Sequence, residues 1–383
     1  MKRSTDRMLT THTGSLPRPP ELLEELIRRD RGEPVDTAAL DARVREAVAE
    51  SVRRQAAAGV AVVNDGEAGK IGYSTYVTER LYGFGGEADP PGPPTDMLEF
   101  PDYLARTSGD DDGDRGGPAM PACDGPISYR DTDAVRADVD ALRAALDGVA
   151  VEDAFLSAAS PGVVAFFLAD HHYGDHEAYL FAIADAMKVE YDEIHRAGFV
   201  LQLDCPDLTL TRGRRGGETP EEFRRLLALH VAAINRATRD IPPDAMRMHV
   251  CWGNYEGPHH DDVPLRDIVD LVFAARPAAV SFEAANPRHA HEWTVFEDVA
   301  PPDGKVLIPG MLDTTTNYIE HPELVAQRIG RYANLVGRDN LMAGVDCGFS
   351  IHVGTSGVDP DVVWAKLASL AQGAAIASKK FWP

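Results

Sequence analysis

His249 and Cys251 stand two apart in the stretch MHVCWGNYEG (248–257). On a strand, residues i and i+2 project from the same side, so this imidazole and this thiol can face one point. Glu283 closes the next apolar run, and Cys347 closes a later one. Two thiolates, an imidazole and a carboxylate suit zinc, which favours four tetrahedral ligands with Zn–S near ~2.3 Å and Zn–N near ~2.0 Å. Thiolate donors argue against magnesium and calcium, which take oxygen. Taken singly, each residue has another reading: a buried Cys usually serves as a small hydrophobe, and a strand His as a hydrogen-bonded core residue. Ser15, Asp65, Glu67, Asp204, Cys205 and Asp346 also lie where apolar runs end, so polar groups recur at the same place in successive units.

The units themselves are LTTHTGS (9–15), VAVVNDGE (60–67), AFLSAASP (154–161), FVLQLDCP (199–206), RMHVCWG (247–253), AVSFEAAN (279–286), VLIPGML (306–312) and LMAGVDCG (341–348). Each reads as a short buried strand bounded by turn residues. Between most of them lie amphipathic stretches such as 177–198 and 220–240, apolar at three- and four-residue intervals. Alternating strand and helix predicts a parallel sheet, and eight candidate strands fit a (β/α)8 TIM barrel better than an open sheet of five or six. The fold class is therefore α/β, with 1–383 a single domain. In such a barrel the carboxyl ends of the strands open on one face, where chemistry gathers.

One region interrupts the pattern. Residues 82–126 include proline-rich EADPPGPPTD (87–96) and acidic SGDDDGDRGG (108–117). This composition cannot bury enough apolar surface to fold alone, so it is expected to be a loop or lid. Three roles are open: a surface excursion, a lid over the barrel mouth, or an arm reaching a second copy in a homo-oligomer.

With 38 basic and 61 acidic side chains, the net charge is −23, which repels phosphate backbones and anionic headgroups. Nucleic acid and membranes are thus not expected partners. The opening MKRSTDRMLTTHTGS has no apolar run of signal-peptide length, and no stretch approaches a membrane span. Four scattered cysteines make no disulfide framework. A cytoplasmic protein with thiols or metal-ligating cysteines is expected.

Seven motifs, HTGSLPRP (12–19), NDGEAGK (64–70), LQLDCPDL (201–208), HVC (249–251), SFEA (281–284), IPGMLD (308–313) and VDCG (345–348), run in order along the chain. Together they resemble the catalytic C-terminal barrel of the cobalamin-independent methionine synthases. That resemblance implies Zn2+ bound by His249, Cys251, Glu283 and Cys347, and a small thiol acceptor, homocysteine in the family. It also implies that Ser15 approaches the substrate carboxylate while Glu67 and Asp204, the expected catalytic pair, hold its ammonium. Two close carboxylates in a dry pocket need a cation between them or a proton on one; the competing reading makes both structural, paired to arginine. Asp65 and Asp346 either orient ligands or cap the following helices.

The match departs from the family in three places. The chain has room for one barrel where the full-length synthases have two, so folate, a methylcorrinoid or an epoxide all stand as alkyl donors. Thr315 occupies the place of a histidine credited with acid catalysis, and nearby His321 does not align with it. Cys205 replaces an acidic residue. Two further functions follow from the resemblance to single-barrel relatives: an epoxide-opening transferase of the epoxyalkane:coenzyme M type, needing a sulfonate-binding arginine such as Arg18 or Arg212 in TRGRRGG (211–217), and a non-catalytic zinc-binding or corrinoid-delivery barrel. Among other histidines, His171, His172 and His176 precede a helix, and His259 and His260 follow the H-x-C strand closely enough to reach substrate.

Overall fold

The computed structural model describes residues 1–89, 92–107, 120–210, 218–350 and 357–383. Six of the eight candidate segments are strands of one parallel sheet: β1 (Val62–Val63), β2 (Asp153–Ala159), β3 (Val200–Asp204), β4 (Met246–Val250), β5 (Ala279–Phe282) and β6 (Val306–Pro309), in sequential order. The register pairs Asp204 with His249 and His249 with Ser281, so the polar strand ends lie level. The other two segments lie along the sheet's edges. Thr11 bridges Val62 in parallel, Leu341 bridges Leu307, and Thr10 bridges Ala343, so the two segments also meet each other.

Inside the curl a small apolar cluster gathers Leu9, Val62, Phe155, Val200, Ala279, Val306, Ile308 and Met342, drawn from every candidate segment except β4. β4 contributes Arg247 instead. Its guanidinium is fully buried, 4.1 Å from the centre of the Phe155 ring, and donates to Thr11 Oγ1 (2.9 Å) and to the His12 carbonyl (2.7 Å). The charge therefore joins β4 to the segment at 9–13 across the interior.

Among the described residues seven long helices pack outside: α1 (Pro20–Asp30), α2 (Thr37–Ala57), α3 (Asp133–Ala145), α4 (His176–Arg196), α5 (Pro220–Ala237), α6 (Pro322–Val336) and α7 (Pro360–Phe381). Their starts follow local chemistry. Thr219 and Glu222 form a reciprocal capping box ahead of Pro220, and the Asp175 and Asp359 side chains cap α4 and α7. The α5 residues Phe223, Leu227, Val231 and Ile234, at three- and four-residue spacing, form its buried face.

The excursion is neither bare loop nor detached. Leu81–Tyr82 pairs antiparallel with Ser128–Tyr129, and Gly86–Ala88 with Met120–Ala122; short helices occupy Thr95–Leu98 and Pro101–Thr107. Asp96, 4% exposed, accepts from Tyr255 Oη (3.2 Å) and the His259 backbone N–H (2.5 Å), and Tyr103 Oη donates to the Glu256 carbonyl (2.6 Å). The segment is thus fastened to the loop that follows β4. The acidic run at 108–117 and the arginine loop at 211–217 fall outside the described residues. Among those described, no helix is long and apolar enough to cross a membrane.

Because Phe155 fills the interior and faces Arg247, Phe155→Ala should cost about 3–5 kcal/mol of unfolding free energy. Urea denaturation followed by circular dichroism measures it; a loss below about 1 kcal/mol would contradict the packing described.

Candidate metal and substrate site

β4 delivers His249 at its penultimate position and Cys251 just past its end, while the loop at 345–348 delivers Cys347. Their ligand atoms lie within 4.8 Å of one another, and all three residues are buried. Cys251 Sγ and Cys347 Sγ are 3.4 Å apart. That is far beyond a disulfide bond and close to the separation that two bonds of ~2.3 Å to one tetrahedral ion require.

The imidazole is poised as a ligand. Its Nδ1 lies 3.3 Å from Ser281 Oγ, whereas Nε2 is buried without a partner. Burial, reinforced by the Arg247 charge, lowers its pKa to about 3, so the ring is neutral. Cys251 is pushed well above the ordinary thiol range, first by its hydrogen bond with Cys347 and then by burial. A neutral imidazole with one orphaned nitrogen, clustered with two thiols, is a donor set that fits a soft divalent cation.

Glu283 stands beside this group but outside it. Its Oε1 accepts from the Trp252 N–H (2.8 Å), and its Oε2 from Asn286 Nδ2 and Arg288 Nη2 (both 2.7 Å). Asp346 takes the backbone N–H groups of Ala284, Ala285 and Asn286 at 2.7–2.8 Å, holding the turn after β5 against the Cys347 loop. Of its two expected roles, orienting the ligand loops is the one the contacts describe. Asp65 accepts from the Glu67 N–H (3.0 Å) and shapes that residue's turn.

One pocket, about 440 Å³ of empty volume and open to solvent, is lined by Ser15, Glu67, Asp204, His249, Cys251 and Cys347 together. Glu67 adopts a left-handed backbone conformation (φ 56°) after Gly66, a strained placement of the kind found where side-chain position matters. Gly14 (φ 154°) explains the glycine of HTGS: a Cβ there would collide with Glu67 Oε1. Glu67 Oε1 accepts from Ser157 Oγ (2.7 Å), and Asp204 Oδ1 from Gln202 Nε2 (2.8 Å). Among the described residues neither carboxylate is paired to an arginine, as the structural alternative required. Arg18 spends its guanidinium on the carbonyls of Glu67, Lys70 and Ser350, and Lys70 Nζ on the Ser157 carbonyl. Burial, then the charge of Glu67, raises the Asp204 pKa to about 8. Ser15 Oγ accepts from the Ser350 N–H at 3.3 Å.

Other expectations resolve differently. His321 caps α6 through Nδ1, and Thr315 bonds Asp313. Cys205 is buried, directed to the Leu203 carbonyl, and is not among the lining residues. His176 meets His230 (3.2 Å), His259 holds Asp262 (2.9 Å), and His260 is exposed. Tyr73, Leu210 and Asn254 line the pocket without having been singled out by sequence; Asn254, three residues past Cys251, carried the only usable signal.

A curled parallel sheet with a His/Cys/Cys group and a carboxylate pair at its carboxyl end is a familiar class of small-molecule site. No family model matches the chain. Its sequence is 25% identical over 201 residues to the uncharacterized protein YxjH of Bacillus subtilis, covering 51% of this chain and 53% of that one. It is 29% identical over 168 residues to the methionine synthase of Methanothermobacter marburgensis, covering 43% and 45%. The chain spans about half the length of the curated relatives it matches. Its fold matches that of a B12-independent methionine synthase from a Shewanella species, solved in complex with selenomethionine, with a TM-score of 0.75, 21% identity and coverage of 97% and 98%. The resemblance read from the motifs therefore holds: the chain is similar in sequence and in fold to the cobalamin-independent methionine synthases.

Asp204 yields a pH prediction. A carboxyl of ordinary pKa ~3.9 when unfolded and about 8 when folded binds its proton more tightly in the native state. Its contribution is complete below pH ~4 and is lost as pH rises through about 8. Without metal or ligand, wild type should lose stability across that window relative to Asp204→Asn. Parallel denaturation midpoints for the two proteins from pH 5 to 9 would contradict the assignment.

Proposed function

We infer that the chain is a single-domain methyl- or alkyltransferase that joins a small amino thiol of the homocysteine class to an electrophilic carbon. Zn2+ is inferred at His249, Cys251, Cys347 and Glu283, and the strand and edge-bridge pattern is read as a closed (β/α)8 barrel. The observation that carries this reading is the shared pocket, in which the His/Cys/Cys group and the Glu67–Asp204 pair line the same space.

The residues divide the work. Glu67 and Asp204, two carboxylates in no ion pair among the described residues, form a seat for the substrate ammonium, and its arrival favours the ionised form of Asp204. Ser157 and Gln202 fix the orientation of the two carboxylates. Ser15 offers a hydroxyl to the substrate carboxylate. His249, Cys251 and Cys347 would hold the ion, which when bound supplies Lewis acidity that lowers the pKa of a thiol. The amino-acid end being anchored, the sulfur lone pair is held for in-line attack on the donor carbon: the C–S bond forms as the bond to the leaving atom breaks. Methionine is the product such a transfer gives from homocysteine, and the Shewanella protein was solved with its selenium analogue. Of the two arginines that the coenzyme M alternative offers, Arg18, 7% exposed, has its donors committed to protein acceptors, and Arg212 lies outside the described residues.

Cys251→Ser and Cys347→Ser should each lose metal and turnover together, by more than the roughly 10–100-fold that removal of an outer partner costs, while far-ultraviolet circular dichroism stays native. Elemental analysis and assays with homocysteine, coenzyme M and methyl or epoxide donors test this. Metal-free, fully active wild type would overturn the zinc assignment, and turnover with coenzyme M alone would overturn the amino-thiol assignment.

A further inference from the structure

Glu283 is a candidate ligand whose carboxylate is committed elsewhere. It is 1% exposed, and both oxygens are occupied by the Trp252 N–H, Asn286 Nδ2 and Arg288 Nη2. Arg288 is itself built into the wall, with its side chain 17% exposed. Its Nε donates to Asn286 Oδ1 (3.2 Å), and Nη1 reaches the carbonyl of Gly253, two residues past Cys251, at 3.4 Å. Asn286 Nδ2 also reaches Asp346 Oδ2 (2.9 Å), beside Cys347. The Cys251 loop therefore contributes directly to the carboxylate's seat, and the Cys347 loop braces that seat through Asn286.

A four-ligand site admits a substrate sulfur either by taking a fifth ligand or by yielding a position, and a carboxylate with a ready seat elsewhere favours the second. A buried carboxylate released without a partner would be an uncompensated charge, which is strongly disfavoured. Arg288 removes that penalty, because a guanidinium bonded to a carboxylate is among the strongest of protein hydrogen-bonding partners. We propose that Arg288 is a positioning residue: the seat it builds receives the Glu283 carboxylate when a thiol enters the site. The proposal rests on the zinc and thiol reading given above.

The sign of the effect separates this role from a merely structural one. Without Arg288, Glu283 loses its alternative ion pair, so it should hold the metal harder and yield less readily to thiol. A structural arginine would do the reverse, because a loosened loop weakens the metal site. The full-length chain and its Arg288→Met variant are compared by chelator competition for zinc and by homocysteine titration of the cobalt-substituted proteins, read by absorption. The variant should bind zinc about tenfold more tightly and need about tenfold more homocysteine, with Arg288→Lys restoring most of both. Should Arg288→Met fail to fold, Arg288→Lys alone must show the same two shifts in smaller measure. In a Glu283→Gln background, Arg288→Met should leave homocysteine binding unchanged. Zinc affinity equal to or below wild type, or an Arg288 effect that persists without Glu283, overturns the proposal. Wild type that binds no zinc, or whose cobalt spectrum ignores homocysteine, instead overturns the reading on which it rests, and this proposal with it.

Discussion

Four carboxylates, Glu67, Asp204, Glu283 and Asp346, surround one site at 1–5% exposure each, together with two buried thiols. Burying negative groups so densely is unfavourable unless each finds donors or a cation. Asp346 is answered by three backbone N–H groups and an amide, and Glu283 by a guanidinium, an amide and a backbone N–H. Glu67 and Asp204 each have far less: one hydroxyl and one amide. The well-satisfied pair shapes the loops that carry the cysteines, and the poorly satisfied pair lines the pocket. This inequality is the physical ground for the ammonium seat proposed at Glu67 and Asp204.

The sheet makes the gathering possible. Parallel strands in register bring the ends of β3, β4 and β5 level, so Asp204, His249 and Ser281 are successive neighbours across the ladder. Beneath them the interior closes on Arg247 rather than on another aliphatic side chain. Its charge answers part of the excess above it: it opposes the upward shift of Asp204 and adds to the burial that keeps His249 neutral, while burial lowers its own pKa to about 9. One buried arginine thus links the packing of the strands to the electrostatics of the mouth.

Much of this was legible because strands buried on both faces read as apolar runs, and polar residues at their ends stand out. The positions of all eight segments, the H-x-C pair and the alignment of Ser15, Glu67 and Asp204 on one pocket follow from that contrast. The structure assigns only two residues to β1 and isolated bridges to the segments at 9–11 and 341–344, although their apolar runs read like those of the fuller strands. Side-chain direction was not legible either. Periodicity places Glu283 at a strand end but cannot say that its carboxylate turns to Arg288, five residues on, in a stretch without secondary structure. Tyr73 escaped notice because it lies in a turn, and Leu210 because it lies in a single helical turn just past β3, too short for a period to distinguish a lining residue from a solvated one.

The excursion shows the same electrostatic constraint acting at a distance. Composition made 87–96 look like a free loop, yet Asp96 is buried because the Tyr255 hydroxyl and the His259 N–H meet it. The His259 ring stacks on Tyr255 (4.0 Å) and bonds Asp262, which also accepts from His289; His289 bonds Glu292 and packs 4.3 Å from Trp252. Burial alone would lower the His289 pKa, but Asp262 and Glu292 raise it to about 10, so the ring carries the charge that two neighbouring carboxylates require. His259 tolerates a left-handed backbone (φ 52°) because Asp96 and Asp262 bond it from both sides. The chain of contacts runs from the excursion to Trp252, adjacent to Cys251 and itself a donor to Glu283. A displacement of Asp96 would leave a buried carboxylate without its donors and a strained residue without its restraint, so the excursion and the cysteine loop are energetically one unit.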